Sequence, residues 1–283
     1  MRLYQQLANV YDLIWGHKDY AYEVSHLEKV FGTYSKKVTS ILDVGCGTGN
    51  HAKEFVARGY SLLGIDLNAP MVKIASQKVP AAEFLQADMY CFKLCRRFDA
   101  ILCLFSTFNY CSDYQVAETV LKNFYDHLSD DGVLIIELIP SNYPLPRSTT
   151  VGVFPNKEIG IFPHRDDLSV AQICSIIPDL RREQLYTGSV FFIQENGHTT
   201  IAMDRHVQHL FSPHRLENMM KTIGFQSIEV FDSYTFKKYD IRSPRALIVS
   251  TKNSQKIELT KSTEDPHPKK CNSSLFQEQK CLN

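Results

Sequence analysis

The sequence predicts an α/β fold: a mostly parallel seven-stranded sheet with crossover helices, interrupted by an inserted antiparallel β-sheet. Over residues 1–139, short β-branched runs alternate with amphipathic helical stretches, the pattern of a parallel sheet. The rhythm breaks at Pro140-Ser141-Asn142-Tyr143-Pro144-Leu145-Pro146, and residues 140–211 carry strand-like runs with no helical period. It resumes over residues 212–250.

Five strands are predicted in the first zone, at 40–44, 61–65, 83–87, 99–105 and 133–139. The helices between them place apolar residues at helical spacing: Ala52, Phe55 and Val56; then Met71, Ile74 and Ala75; then Val116, Val120, Leu121, Phe124 and Leu128. Gly59 closes the first, Asn68 and Pro70 open the second, and Asp130-Asp131-Gly132 turns the third into the next strand. In the inserted zone, strand 168–177 turns at Pro178-Asp179, returns over 184–195, and passes through an Asn196-Gly197 hairpin into 198–211. Ser212 and Pro213 then open a helix that Gly224 stops, and strands 227–231 and 246–250 complete the sheet. Residues 251–283 are poor in large apolar side chains and predict a disordered tail.

The chain has 283 residues with 31 basic and 31 acidic side chains, so no net charge draws it to nucleic acid or a membrane surface. No apolar run approaches the ~18 residues that span a bilayer, and Met1-Arg2-Leu3-Tyr4-Gln5-Gln6 lacks the apolar core of a signal peptide. A soluble, cytoplasmic protein is expected. The eight cysteines form no CxxC or CxxH pair, so they read as reduced, with Cys46, Cys103 and Cys174 acting as small hydrophobes.

Chemistry concentrates in Ile41-Leu42-Asp43-Val44-Gly45-Cys46-Gly47-Thr48-Gly49-Asn50, where a strand breaks into alternating glycines and then a helix. Such a turn brings backbone N–H groups close to a ligand. A dinucleotide fingerprint would need glycine at Asn50, which argues against NAD or FAD. Asp43, at the strand end, suits an ammonium group. Asp66, ending the next strand in Gly64-Ile65-Asp66-Leu67, suits the two hydroxyls of a ribose. Asp88, in Gln86-Ala87-Asp88-Met89, suits an adenine amino group flanked by apolar neighbours. Three acids at three successive strand ends mark one ligand-binding edge.

In these motifs, and in Gly132-Val133-Leu134-Ile135-Ile136-Glu137-Leu138, the sequence resembles the class I S-adenosylmethionine (SAM)-dependent methyltransferases, whose sheet is Rossmann-like. Beyond them it resembles the dTDP-aminosugar N,N-dimethyltransferases, through Val10-Tyr11-Asp12-Leu13-Ile14-Trp15, Lys18-Asp19-Tyr20, Cys103-Leu104-Phe105-Ser106-Thr107-Phe108-Asn109-Tyr110, His209-Leu210-Phe211-Ser212 and Ser243-Pro244-Arg245-Ala246-Leu247.

The resemblance implies a helical cap (1–35) over a SAM-binding core (36–139), an insertion (140–211) serving as substrate lid or homodimer contact, and a completing segment (212–250). It implies SAM as cofactor, held by Asp43, Gly45, Gly47, Asp66 and Asp88 together with Tyr11, Tyr20, Cys46, Asn50, Leu67, Met71, Met89 and Leu104. Tyr20 would lie near the amino-acid end of the cofactor. Trp15, where the sugar enzymes tend to have tyrosine, would border the acceptor, as would Ser106. Tyr110, which replaces a histidine of some relatives, is the candidate catalytic residue. Arg245 would pair with an anionic group such as a diphosphate.

No metal site is expected. His206 and His209 are three apart on a strand and so face opposite ways. With no His/Asp pair evident near the acceptor, an amine nitrogen is favoured over a hydroxyl, which would need a base. The expected function is methylation of a small-molecule amine, with a nucleotide-linked amino sugar as the specific case. O- or C-methylation of another metabolite, or a catalytically silent binding module, are the alternatives.

Overall fold

The computed structural model describes residues 3–35, 37–141, 150–153 and 168–253. Two N-terminal helices, α1 (Ala8–Trp15) and α2 (Tyr20–Tyr34), precede the first strand. The sheet is then built from β1 (Ser40–Val44), α3 (Asn50–Ala57), β2 (Ser61–Asp66), α4 (Ala69–Lys78), β3 (Glu83–Gln86), β4 (Phe98–Cys103), α5 (Tyr114–His127) and β5 (Leu128–Leu138). A second sheet comprises β6 (Thr150–Val153), β7 (Leu168–Asp179), β8 (Gln184–Glu195) and β9 (His198–His209). The chain returns to the first sheet through α6 (Pro213–Ile223), β10 (Ile228–Asp232) and β11 (Ala246–Thr251).

The seven strands lie in the order β10-β11-β5-β4-β1-β2-β3, and only β11 runs against the rest. Alternating side chains split between two faces. Leu42, Val44, Ile101 and Ile136 pack with Val120, Phe124 and Met220 of α5 and α6. Ile41, Leu102 and Ile135 pack with Leu27, Phe31 and Phe55 of α2 and α3. Both faces are covered, which is why these strands are apolar at nearly every position. After β1 the chain moves outward to β2 and β3, then returns to place β4 on the other side of β1. The carboxyl ends of β1 and β4 therefore flank a crevice, the place where open α/β sheets bind ligands.

The second sheet is antiparallel throughout. Its inner side packs on the first helix: Leu168, Val170, Phe191, Ile193 and Ala202 share a buried cluster with Val10, Tyr11 and Ile14, and with Met71 of α4. The helix α1 thus lies between the second sheet and α4. Buried Asn109 fixes their junction, donating to the carbonyls of Ile139 and His209 and accepting from the Ile139 amide.

Several expectations are corrected. The β7–β8 turn lies at 180–183, because pairing runs on to Asp179 and Gln184. Pro178 pairs with Leu185 inside this register. The strand β6 makes the inserted sheet four-stranded rather than three-stranded. Asp130-Asp131-Gly132 lies inside β5, in an irregularity between the pairs Phe98–Leu128 and Ala100–Val133. The expected tail begins too early: Thr251 belongs to β11, and Thr251 and Lys252 are buried. Residues 254–283 lie outside the described residues. The Asn196-Gly197 hairpin forms as expected, with φ of 51° and 78°, the paired positive values of a two-residue turn.

Candidate active site

A cavity of about 150 Å³, open to solvent, occupies the crevice at the ends of β1, β2 and β4. Its floor is the glycine turn. The amides of Gly45 and Cys46 both donate to the Ile65 carbonyl, at 2.8 and 3.1 Å, and the Gly47 amide donates to Asp66 Oδ2 at 3.0 Å. Gly45 has φ +74°, and a Cβ there would collide with Thr107; Gly47 has φ +55° with open space where a Cβ would stand. Only glycine meets both conditions.

The three strand-end acids line this cavity in different states. Asp43 is buried, its Oδ2 has no hydrogen-bond partner, and burial pushes its carboxyl up to about 6. Asp66 uses both oxygens, Oδ2 with Gly47 and Oδ1 with the backbone and side-chain nitrogens of Asn68; burial raises its carboxyl while these bonds oppose the rise. Asp88 Oδ1 accepts the Tyr90 amide at 2.9 Å. Tyr11, Tyr20, Cys46, Asn50, Leu67, Met71, Met89, Leu104 and Tyr110 also line the cavity. Burial holds the Cys46 thiol well above its ordinary value, leaving it a hydrophobe at neutral pH.

The first helix is tied to this floor by a residue that pattern reading passed over. Asp12 accepts from Thr48 Oγ1 at 2.6 Å, Asn50 Nδ2 at 3.1 Å and Lys78 Nζ at 2.7 Å, and Lys78 also donates to Asn50 Oδ1. The Asn50 side chain is therefore committed to the wall. Glu23, buried in α2, meets Lys18 at 2.7 Å and His51 at 2.8 Å; burial would raise its carboxyl, but His51 and Lys18 hold it low.

Trp15, Ser106 and Arg245 are not among the residues lining the cavity. Trp15 packs edge-on against Phe105. Arg245, expected to face an anionic group, instead donates to Ser106 Oγ and lies 3.9 Å from Glu137. Phe105 and Ser106 both adopt left-handed φ, 52° and 60°, at the end of β4. Non-glycine residues in that region cost about 1–3 kcal/mol and need support. Glu137 accepts the Phe105 amide and the Tyr234 hydroxyl, while Gln208 donates to the Ser106 carbonyl.

At the wall formed by the second sheet, Tyr110 Oη lies 2.9 Å from Tyr4 Oη and 3.0 Å from His206 Nδ1. His206 Nε2 lies 2.9 Å from Asp204 Oδ2, which also accepts the Leu3 amide. A His/Asp pair therefore does stand beside the cavity, against expectation. Spacing held the signal: positions 202, 204 and 206 alternate inward along β9, so an aspartate and a histidine two apart share the buried face. His209 faces elsewhere, against Tyr114 and Phe211. Among the described residues no group of three or more His, Cys, Asp or Glu could hold a metal.

Comparisons with known proteins agree with this geometry. Residues 41–132 match a methyltransferase domain family. Over 142 residues, 49% of this chain and 56% of the relative, the sequence is 34% identical to dTDP-3-amino-3,6-dideoxy-alpha-D-glucopyranose N,N-dimethyltransferase of Streptomyces fradiae. It is 33% identical to dTDP-3-amino-3,4,6-trideoxy-alpha-D-glucopyranose N,N-dimethyltransferase of Streptomyces venezuelae, over 46% of this chain and 56% of that one. The chain thus spans little more than half the length of the curated relatives it matches. The crystal structure of Streptomyces venezuelae DesVI superposes with a TM-score of 0.73 at 25% identity, covering 87% of this chain and 98% of that one.

The residues fit SAM: an unpartnered carboxylate oxygen meets the need of its ammonium, a second acid closes the glycine turn, and apolar side chains flank the third. The fold, the glycine turn and the family match converge on one assignment: residues 41–132 are a SAM-dependent methyltransferase domain, in a chain that resembles the dTDP-aminosugar N,N-dimethyltransferases.

Proposed function

We infer that this chain methylates an amine nitrogen of a small-molecule acceptor, specifically an amino sugar carried on a nucleotide. The observation that carries the reading is the likeness to two dTDP-aminosugar N,N-dimethyltransferases, at 34% and 33% identity. SAM supplies an electrophilic methyl on a positive sulfonium. The chain's own residues supply alignment. Asp43, ionised above pH ~6, anchors the ammonium. Asp66 and the Gly45–Gly47 turn receive the ribose, and Asp88, Leu67, Met71 and Met89 enclose the base. Tyr11, Tyr20 and Leu104 close the pocket from above and beside it. Positioning alone contributes roughly 7–11 kcal/mol in well-aligned transfers.

In this reading residues 1–35 are the cap, 36–139 the cofactor core, 140–211 the insertion forming the acceptor wall, and 212–250 the completion of the sheet. The outer side of the insertion exposes Ile173, Ile201, Met203 and Val207, and it forms the contact between two copies of the chain. O-methylation is the second reading, favoured by the His206–Asp204 pair, which gives a hydroxyl acceptor the base it requires.

The test is the product mass after incubation with SAM and a dTDP-linked 3-amino sugar. A gain of one or two methyl masses is expected. No gain, while S-adenosylhomocysteine still raises the melting temperature, removes the amino-sugar reading and keeps the domain assignment.

A further inference from the structure

Resting on the amine reading, we propose that Tyr110, His206 and Asp204 form a proton path that strips the acceptor nitrogen of its proton before each methyl transfer. An amino sugar is an ammonium near neutral pH, and a nitrogen that has just gained one methyl again carries a surplus proton. Neither can act as a nucleophile until that proton leaves.

The hydrogen-bond directions on the wall follow from one another. Burial lowers the affinity of His206 for a second proton, so its imidazole is neutral at neutral pH. The Asp204 carboxylate, 2.9 Å from Nε2, places the single ring hydrogen on Nε2. Nδ1 is then an acceptor, and Tyr110 O–H, at 3.0 Å, donates to it. With that hydrogen committed, Tyr4 O–H donates to the Tyr110 oxygen at 2.9 Å. One lone pair of Tyr110 remains, on a residue that lines the cavity. A substrate N–H is the donor it fits.

The same burial keeps both phenols protonated, Tyr4 pushed up to about 12 and Tyr110 well above its ordinary value. Tyr110 therefore relays a proton rather than storing one. The acceptor N–H bond breaks as the Tyr110 oxygen takes the proton, and Tyr110 passes its own hydrogen to His206 Nδ1. The electron pair stays on the nitrogen as the nucleophile. The positive charge moves to His206, where the adjacent Asp204 carboxylate stabilises it, as the aspartate of a hydrolase triad does. The reverse relay to water resets the imidazole after product release. Tyr110 would touch substrate; His206 and Asp204 act through it and are positioning residues.

Two experiments test the path. In steady-state kinetics with a dTDP-linked 3-amino sugar, Tyr110→Phe and His206→Gln should each lower kcat about 100-fold at about pH 7. Both should recover most of that loss at about pH 9, where the amine arrives already neutral, with KM for SAM unchanged. A loss equal at both pH values would overturn the relay, because a merely structural role has no reason to vanish with alkali. If the wild-type enzyme does not methylate the amino sugar, the amine reading fails separately. The path is then judged by ¹⁵N NMR of His206 in the full chain: it predicts a neutral Nε2–H tautomer whose Nδ1 signal shifts in Tyr110→Phe. An Nδ1–H tautomer, a charged ring, or no shift overturns it.

Discussion

In the seven-stranded sheet, the ligand-facing residues stand in contiguous runs at strand ends: Asp43 beside the glycine turn, Asp66 within Gly64-Ile65-Asp66-Leu67, Asp88 before Met89. In the four-stranded sheet, Asp204 and His206 occupy alternate positions of a long strand and meet the cavity wall at Tyr110, 96 residues away in sequence from His206. The difference is geometric. A strand end delivers neighbouring residues to one place, whereas a strand interior delivers every second residue to one face, and its function depends on what that face meets. Chemistry at strand ends is written locally; chemistry on a sheet face is written in the packing.

Glu137→Ala breaks the comparison most sharply, because Glu137 supports the methyl-transfer edge from inside a strand. Its loss leaves the Phe105 amide and the Tyr234 hydroxyl without their acceptor and removes the carboxylate 3.9 Å from Arg245. Removing one partner of a buried charged cluster costs about 3 kcal/mol or more, so the melting temperature should fall by several degrees.

Asp43→Asn sharpens the motif side through its pH dependence. The carboxyl titrates at about 6 in the folded chain against 3.8 in the unfolded one, so the folded state binds that proton more tightly. The associated stability is full below the unfolded value and is lost as pH rises through about 6, by roughly 3 kcal/mol. The variant should therefore melt higher than wild type at neutral pH. Wild-type affinity for S-adenosylhomocysteine should rise between about pH 5 and 7, and Asp43→Asn should flatten that rise, as read by calorimetry.

Asp66→Ala should weaken S-adenosylhomocysteine binding on the order of 30-fold, the worth of about 2 kcal/mol for a charge-assisted acceptor. Asp12→Ala should cost less, on the order of 1 kcal/mol, because Asp12 is partly exposed while tying Thr48, Asn50 and Lys78 to the cap. Met203→Glu, on the exposed side of β9, should leave stability and turnover unchanged within error. Its expected effect is to halve the mass seen by sedimentation.

The legibility of the sequence follows the same division. The parallel strands and their helices were readable because both faces are buried and the turns carry Gly59, Pro70, Ser212 and Gly224. The β7–β8 turn falls later than its local signal, because proline usually ends a strand, yet Pro178 here stays paired with Leu185. The irregularity at 129–132 was invisible because Asp-Asp-Gly favours a turn whether or not a strand continues through it. The cavity-lining acids, glycines and apolar residues lie in the named motifs. Trp15 packs on Phe105 and Arg245 donates to Ser106 Oγ, around a left-handed turn at 105–106 of which non-glycine residues give no local sign. Asp12, Glu23 and His51 joined the site through contacts between elements, which no period reveals.

If the proton path is right, the two sheets meet across the reacting nitrogen, donor on one side and proton path on the other. The most direct measurement is a crystal structure with S-adenosylhomocysteine bound, read for the position of its thioether sulfur. The account predicts the amino group on Asp43 and the sulfur facing Tyr110 across a gap wide enough for an amine. A sulfur turned away from Tyr110, with the inserted sheet remote from the reacting end, would contradict it.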